Sequence, residues 1–313
     1  MLNNMAVASP VSPDPVLPVE MTERHLNDEH RGPFGFQKTW LAPAIIGVML
    51  VALYYHVAIK LVSDWINYPD NGHGLLIPFF VLFLIWDKRE VLRKIPLRPS
   101  WAGVSLVLLG LFILLVGVFG ADLFLSRISF VILTAGLIWT LLGIRMLGQS
   151  KFMLFVFLLA IPLPVLVMNQ ITFPLQIRAS ILASDLLQAV NVPVLREGNV
   201  IQLPAMQLEV AEACSGIRSL MSLFTVAIIY GYFLERSIVR RVILALAAIP
   251  IAVAANAARI FGTGLCVQYW DPDKALGFFH EFSGWLVFLV ALGLLYLVHV
   301  AMRLVTRKRE VTA

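Results

Sequence analysis

One cysteine, one arginine and one histidine are spaced along the second half of this 313-residue chain so that they can share one membrane depth. Cys214 lies in the run Val210-Ala211-Glu212-Ala213-Cys214-Ser215-Gly216-Ile217-Arg218-Ser219-Leu220, where a polar stretch gives way to a long apolar helix. A helix N-terminus favours a thiolate, and Arg218 stands one turn further on the same face. Arg259 lies inside an apolar span, where a charge is costly and normally faces a polar cavity or a partner. Asn256, three residues earlier, faces the same interior. His280 precedes the last span. The three types together suit nucleophilic chemistry: a thiolate attacks, a guanidinium steadies developing negative charge, and an imidazole moves the proton.

The elements that must position them are membrane helices. The chain is 59% hydrophobic and 14% charged, and several apolar runs approach the roughly 20 residues that cross a bilayer. The composition predicts an all-α polytopic membrane protein of about eight transmembrane helices, near 43–62, 74–86, 101–119, 127–144, 152–168, 215–233, 242–267 and 282–302. The second run is short: its ~13 residues cover about two-thirds of the hydrocarbon, so it either thins the bilayer or extends through its flanks.

Basic residues set the orientation. With the N-terminus inside, the cytoplasmic loops hold Lys88, Arg89, Arg93, Lys94 and Arg98, then Arg145 and Lys151, then Arg236, Arg240 and Arg241, and finally Arg303, Arg307, Lys308 and Arg309. The outer loops keep mainly Arg178, Arg196 and Lys274. That alternation predicts both termini in the cytoplasm. The net charge of +5 is dispersed among these loops, which argues against a nucleic-acid partner and for the lipid bilayer. Three regions follow: residues 1–40, Pro-rich and without an apolar signal core, as a mobile cytoplasmic tail; residues 41–303 as a single transmembrane domain; and residues 304–313 as a basic cytoplasmic tail.

The connection from Asn169 to Ala213 is the one long outer segment, and long connections tend to carry function. Its first part, Gln170 to Val190, suggests a short amphipathic helix lying in the interface. The stretch from Val192 to Leu203, followed by Met206 to Val210, has the turn residues and alternation of a β-hairpin ending beside Cys214. Arg259 lies about 17 residues from the cytoplasmic end of its span, or ~26 Å along a helix. Cys214, Arg259 and His280 therefore gather at the outer face.

Each also has an ordinary structural reading. Free Cys is usually a small buried residue, an Arg near the boundary snorkels, and loop histidines are common. Arg218 is equally suited to lipid headgroups. Cys266, two turns beyond Arg259, reads as a free packed thiol rather than half of a redox pair. In the first outer loop Asp64, Trp65, Asn67, Asp70, Asn71 and His73 suit either a solvated turn or the wall of a substrate groove, His73 being the strongest groove candidate. Glu212 and Glu209 beside Cys214 either repel a thiolate or recognise an amine, which makes Glu212 a candidate for substrate binding. No His-Glu-x-x-His, Cys-x-x-Cys or phosphate-binding Gly-rich run is present, so neither metal nor cofactor is expected.

The residues resemble the exosortase and archaeosortase group of membrane transpeptidases. The resemblance rests on Ala213-Cys214-Ser215-Gly216-Ile217-Arg218-Ser219-Leu220, Asn256-Ala257-Ala258-Arg259 and His280-Glu281-Phe282-Ser283-Gly284, in that order. His73-Gly74, Ile161-Pro162-Leu163-Pro164 and Arg196-Glu197-Gly198-Asn199 support it. His at the third position resembles the bacterial exosortase branch. The resemblance implies an enzyme of the bacterial inner membrane acting on exported proteins that end in a Pro-Glu-Pro-type motif, a transmembrane helix and a basic tail.

In that reading Cys214 forms a thioester with the sorting signal, Arg259 holds the oxyanion and substrate backbone, and His280 protonates the departing amine and activates the acceptor. Arg218 and Asn256 take supporting roles, the first biasing the thiol and the second orienting Arg259. Two rivals stand beside it: a non-catalytic transporter or assembly subunit for exported polysaccharide, and plain intramembrane proteolysis with water as acceptor.

Overall fold

The computed structural model describes residues 35–210, 216–270 and 278–312. The chain forms two compact units, Met1–Tyr55 and His56–Ala313. The described part of the first is the opening of helix α1 (Gly35–Asn67), which continues into the second. There the chain makes a 3₁₀ turn (Pro69–Leu75), then α2 (Ile77–Asp87), α3 (Arg89–Arg93), α4 (Ala102–Phe119), α5 (Leu123–Leu142), α6 (Ile144–Leu158) and α7 (Val165–Ala189). Strands β1 (Leu195–Glu197), β2 (Val200–Gln202) and β3 (Gln207–Glu209) precede α8 (Gly216–Leu234), α9 (Ile238–Tyr269) and α10 (Phe278–Thr312).

Among the described residues seven segments are long and apolar enough to cross a membrane, and Arg218–Leu234 is a shorter apolar helix beside them. The polytopic all-α class expected from composition is therefore present. The second span reaches its length through its N-terminal flank, because the 3₁₀ turn and α2 together make a 19-residue apolar segment, Pro69–Asp87.

Two boundaries differ from the sequence expectation. The run expected as one span over 152–168 is broken: α6 ends at Leu158 and α7 begins at Val165. Pro162 and Pro164 lie in the break, where they supply no N–H and push their predecessors out of helical geometry. The amphipathic helix expected over 170–190 starts earlier, as the 25-residue α7. Its polar stripe faces the protein: Thr172, Gln176, Ser180 and Ser184 are buried, so the amphipathic pattern records a helix that packs its polar side on its neighbours.

Three clusters make the core. Leu61, Trp65, Ile77, Val156 and Ala160 join α1, α2 and α6. Here Gly74 is needed for space, since a Cβ would lie 2.3 Å from the Trp65 indole nitrogen, and that nitrogen donates to the Ala160 carbonyl at 2.8 Å. Gly103, Gly110 and Gly117 of α4 meet Thr140, Leu133 and Ser126 of α5 too closely for any Cβ, so these helices run antiparallel at short range. A second cluster joins α8, α9 and α10 through Leu223, Leu244, Ala248, Ala252, Ala291 and Leu295.

The third cluster seats the sheet on α7 and α9 through Ala179, Ala183, Leu187, Ile201, Leu208, Ala257 and Ile260. The strands lie in the order β1-β2-β3, antiparallel, with Ile201 opposite Leu208. Gly198 turns the first hairpin at φ +64, a conformation that glycine adopts without strain. Its carbonyl accepts from Ser180 of α7 at 3.1 Å and from Arg196 at 2.8 Å. The Arg196-Glu197-Gly198-Asn199 run is thus a structural turn that fixes the hairpin to α7.

Candidate functional site

Helix α9 carries Arg259 and Asn256 and is packed by α7, α8 and α10. Its Ala-rich sequence allows this, because small side chains let helix backbones approach where lipid supplies no hydrophobic drive between helices. Arg259 is half-buried. Its guanidinium lies against α10 at Gly284, where an added Cβ would meet Cζ and Nη2 at 3.1 Å. His280 sits in the first turn of the same helix. Positions 280 and 284 are four residues apart and share one helix face, so the surface that meets Arg259 continues towards His280.

The opposite end of these helices fixes their register. Glu235, 3% exposed, accepts from His299 Nε2 at 2.9 Å, Arg240 Nε at 3.1 Å and Arg303 Nε at 3.4 Å. The Glu235 carbonyl accepts from Arg241 at 2.7 Å, and the Leu234 carbonyl from Arg303 at 2.8 Å. Tyr230 donates to His299 Nδ1. One acidic group thus clamps α8, α9 and α10 together. From this common origin Arg218 is about 17 residues along α8, Arg259 about 19 along α9 beyond Arg240, and His280 about 19 before His299, or ~25 to ~29 Å at 1.5 Å per residue. Helix rise alone brings the three positions to matching heights.

Cys214 and Glu212 lie outside the described residues. The helix that follows them begins at Gly216 and the strand that precedes them ends at Glu209, seated on α7 and α9 by Leu208 and Val210. Arg218 is exposed, with Nε 3.8 Å from Asp70 of the 3₁₀ turn. Its charge is therefore shared with a carboxylate. Asp64, Trp65 and Asn67, expected in the first outer loop, belong to the end of α1: Asp64 pairs with buried Arg127 at 2.6 Å, Trp65 holds Ala160, and Asn67 donates to Ser63. His73 donates from Nε2 to the Leu159 carbonyl at 3.3 Å, so that edge of its ring ties the loop to the break between α6 and α7.

Asn256 is 7% exposed and Gln176 of α7 is 9% exposed. Together with Thr172, Leu175, Leu220, Ala252 and Val253 they line a cavity of about 20 Å³, enough for one water. Neither amide hydrogen-bonds to a described residue, so the cavity supplies the wet environment that such groups need. Cys266 is a free, half-buried thiol packed on the core between α9 and the sheet. Among the described residues no three His, Cys, Asp or Glu side chains gather as a metal site.

Gln176 was missed in sequence because its helix reads as interfacial, and the Glu235 cluster because its members lie in separate segments. A histidine within the last span was the available signal for the latter, since an ionisable group there needs a partner.

Neither a curated protein nor a solved structure matches the chain. A family model for the transmembrane exosortases matches residues 65–297, which include Arg218, Asn256, Arg259 and His280 as well as Cys214. With that match over most of the chain and a multi-span helical fold, the chain belongs to the transmembrane exosortase family.

Proposed function

We propose that this protein is a cysteine-dependent membrane transpeptidase that removes C-terminal sorting signals from exported proteins. Cys214, as thiolate, attacks the carbonyl carbon at the sorting motif. The C–N bond breaks, the amine leaves with a proton from His280, and the acyl group stays on sulfur as a thioester. An acceptor amine, or water, then gives its proton to His280 and displaces the sulfur. Arg259 faces the oxyanion at both steps. The substrate's own helix lies in the bilayer, so positioning comes from the membrane. The protein sits in the bacterial inner membrane with both termini in the cytoplasm and its site at the outer face, an orientation that the distribution of basic residues among the loops supports.

The observation that carries this reading is the contact of the Arg259 guanidinium with α10 one turn from His280. An arginine that only snorkelled would have no reason to meet a glycine on the histidine helix. The test is co-expression with an exported protein ending in a Pro-Glu-Pro motif, a transmembrane helix and a basic tail, at matched membrane levels. Cleavage by wild type and its loss in Cys214→Ala, Arg259→Ala and His280→Ala is expected, and product mass separates transfer from hydrolysis. Processing by Cys214→Ala or Cys214→Ser at the wild-type rate overturns the mechanism and favours the transport or assembly reading.

A further inference from the structure

The basic end of the molecule contains a crevice that the proposed reaction does not use. It measures about 630 Å³ and is lined by Val91, Lys94, Ile95, Pro96, Arg145, Gly148 and Gln149. One wall follows α3, which leaves the end of α2 where the apolar segment Pro69–Asp87 stops. The other is the first two turns of α6, which begins at Ile144 after the Gly143 N-cap. Both walls therefore stand where membrane spans give way to polar chain, at the level of the headgroups.

Its chemistry is two-sided. Lys94 and Arg145 are exposed and bring two positive charges to the mouth, with the Gln149 amide beside them. Neither cation pairs with a carboxylate of the described residues; Glu90, the acid nearest in sequence on α3, is engaged by Arg89 at 3.8 Å. The dipole at the start of α6 adds to the positive field. Val91, Ile95 and Pro96 supply an apolar floor, and Gly148 leaves it open, since a Cβ there would meet nothing within 4 Å.

We propose that this crevice binds an anionic phospholipid, with the phosphate between Lys94 and Arg145 and the upper acyl chain along Val91, Ile95 and Pro96. A basic pocket between spans on the positively charged side of a membrane suits a lipid phosphate electrostatically, and the volume is that of a small-ligand site. A free anion would use the charges but leave the apolar wall uncovered. The lipid would tie α3 to the start of α6.

The experiment is native mass spectrometry of the full-length protein in neutral detergent, titrated with phosphatidylglycerol and with phosphatidylcholine of the same acyl chains. Phosphatidylglycerol should be retained preferentially. Arg145→Glu should weaken its retention by at least about fivefold, whereas Arg236→Glu, the same charge change on an exposed residue of the same end, should not. Gly148→Trp keeps both charges but fills the crevice, and should weaken retention as well. Millimolar inorganic phosphate should fail to displace the lipid. Equal retention of the two lipids, equal effects of Arg145→Glu and Arg236→Glu, an unaffected Gly148→Trp, or displacement by phosphate would each overturn the assignment.

Discussion

Gly284 offers a way to move the Arg259 guanidinium without touching any group that does chemistry. An alanine Cβ at this position would lie 3.1 Å from both Cζ and Nη2 of Arg259. Comfortable contact needs a few tenths of an ångström more, and the guanidinium end of a flexible side chain can yield it. Within helix α10 the change itself is favourable, because glycine costs ~0.5–1 kcal/mol relative to alanine in a helix interior. Gly284→Ala should therefore leave unfolding stability unchanged or slightly raised while displacing the charge proposed to face the oxyanion. A misplacement of 1 Å costs on the order of 100-fold in rate, so a shift of a few tenths should cost about tenfold. Gly284→Val, whose two methyls push further, should approach the full ångström and about 100-fold. The assay pairs thermal unfolding in detergent with initial rates of signal removal from a tailed substrate. Wild-type rates in Gly284→Val, with Arg259→Ala inactive, would refute the argument that this contact sets the arginine's working position.

The other predictions concern what holds the site up. Glu235→Ala leaves His299, Arg240 and Arg303 without their shared carboxylate and should destabilise the protein by about 2–3 kcal/mol, since breaking a buried ion pair is costly but two of the cations are partly solvated; denaturant unfolding in mixed micelles measures it. Asp64→Ala strands the 4%-exposed Arg127 and should cost about 3 kcal/mol, with Asp64→Ala/Arg127→Met recovering part of the loss in a double-mutant cycle. Trp65→Phe removes the hydrogen bond to Ala160 and should cost ~1–2 kcal/mol, while Gly74→Ala, which drives a methyl into the indole, should cost more; thermal shifts of the two variants rank them.

The class of the fold was legible because a membrane span is written in composition, and the charges between spans are written in the loops. The reading is incomplete where two demands share one pattern. Gln176, Ser180 and Ser184 form a polar stripe whether the partner is water or protein, so the sequence predicts an amphipathic helix but not that its polar side packs within the protein beside α9. Similarly, the apolar run over 152–168 continues through Pro162 and Pro164, and hydropathy registers their oiliness rather than their missing N–H groups. The proposed site residues stand out one at a time because Arg259 in a span and a cysteine before a helix are costly or reactive in isolation. Gly284 and Glu235 are not, since the first acts by lacking a side chain and the second through partners on two other helices.

The Glu235 cluster also explains how a site can be assembled from helices that meet it only at their far ends. Advancing a helix by one residue shifts it ~1.5 Å along its axis and rotates it by about 100°, which would carry Arg259 off the α10 surface. Apolar packing alone discriminates weakly against such slips in an Ala-rich helix, because Ala248, Ala252, Ala255 and Ala257 present similar small surfaces in several registers. A buried carboxylate does discriminate, since His299, Arg240 and Arg303 reach it together in one register only. If that is its role, Glu235→Gln should lower the rate of processing in the fraction that remains folded, with the loss appearing in kcat rather than KM. A variant that is destabilised but fully active per folded molecule would make the cluster a stability element and leave the register to the alanine packing.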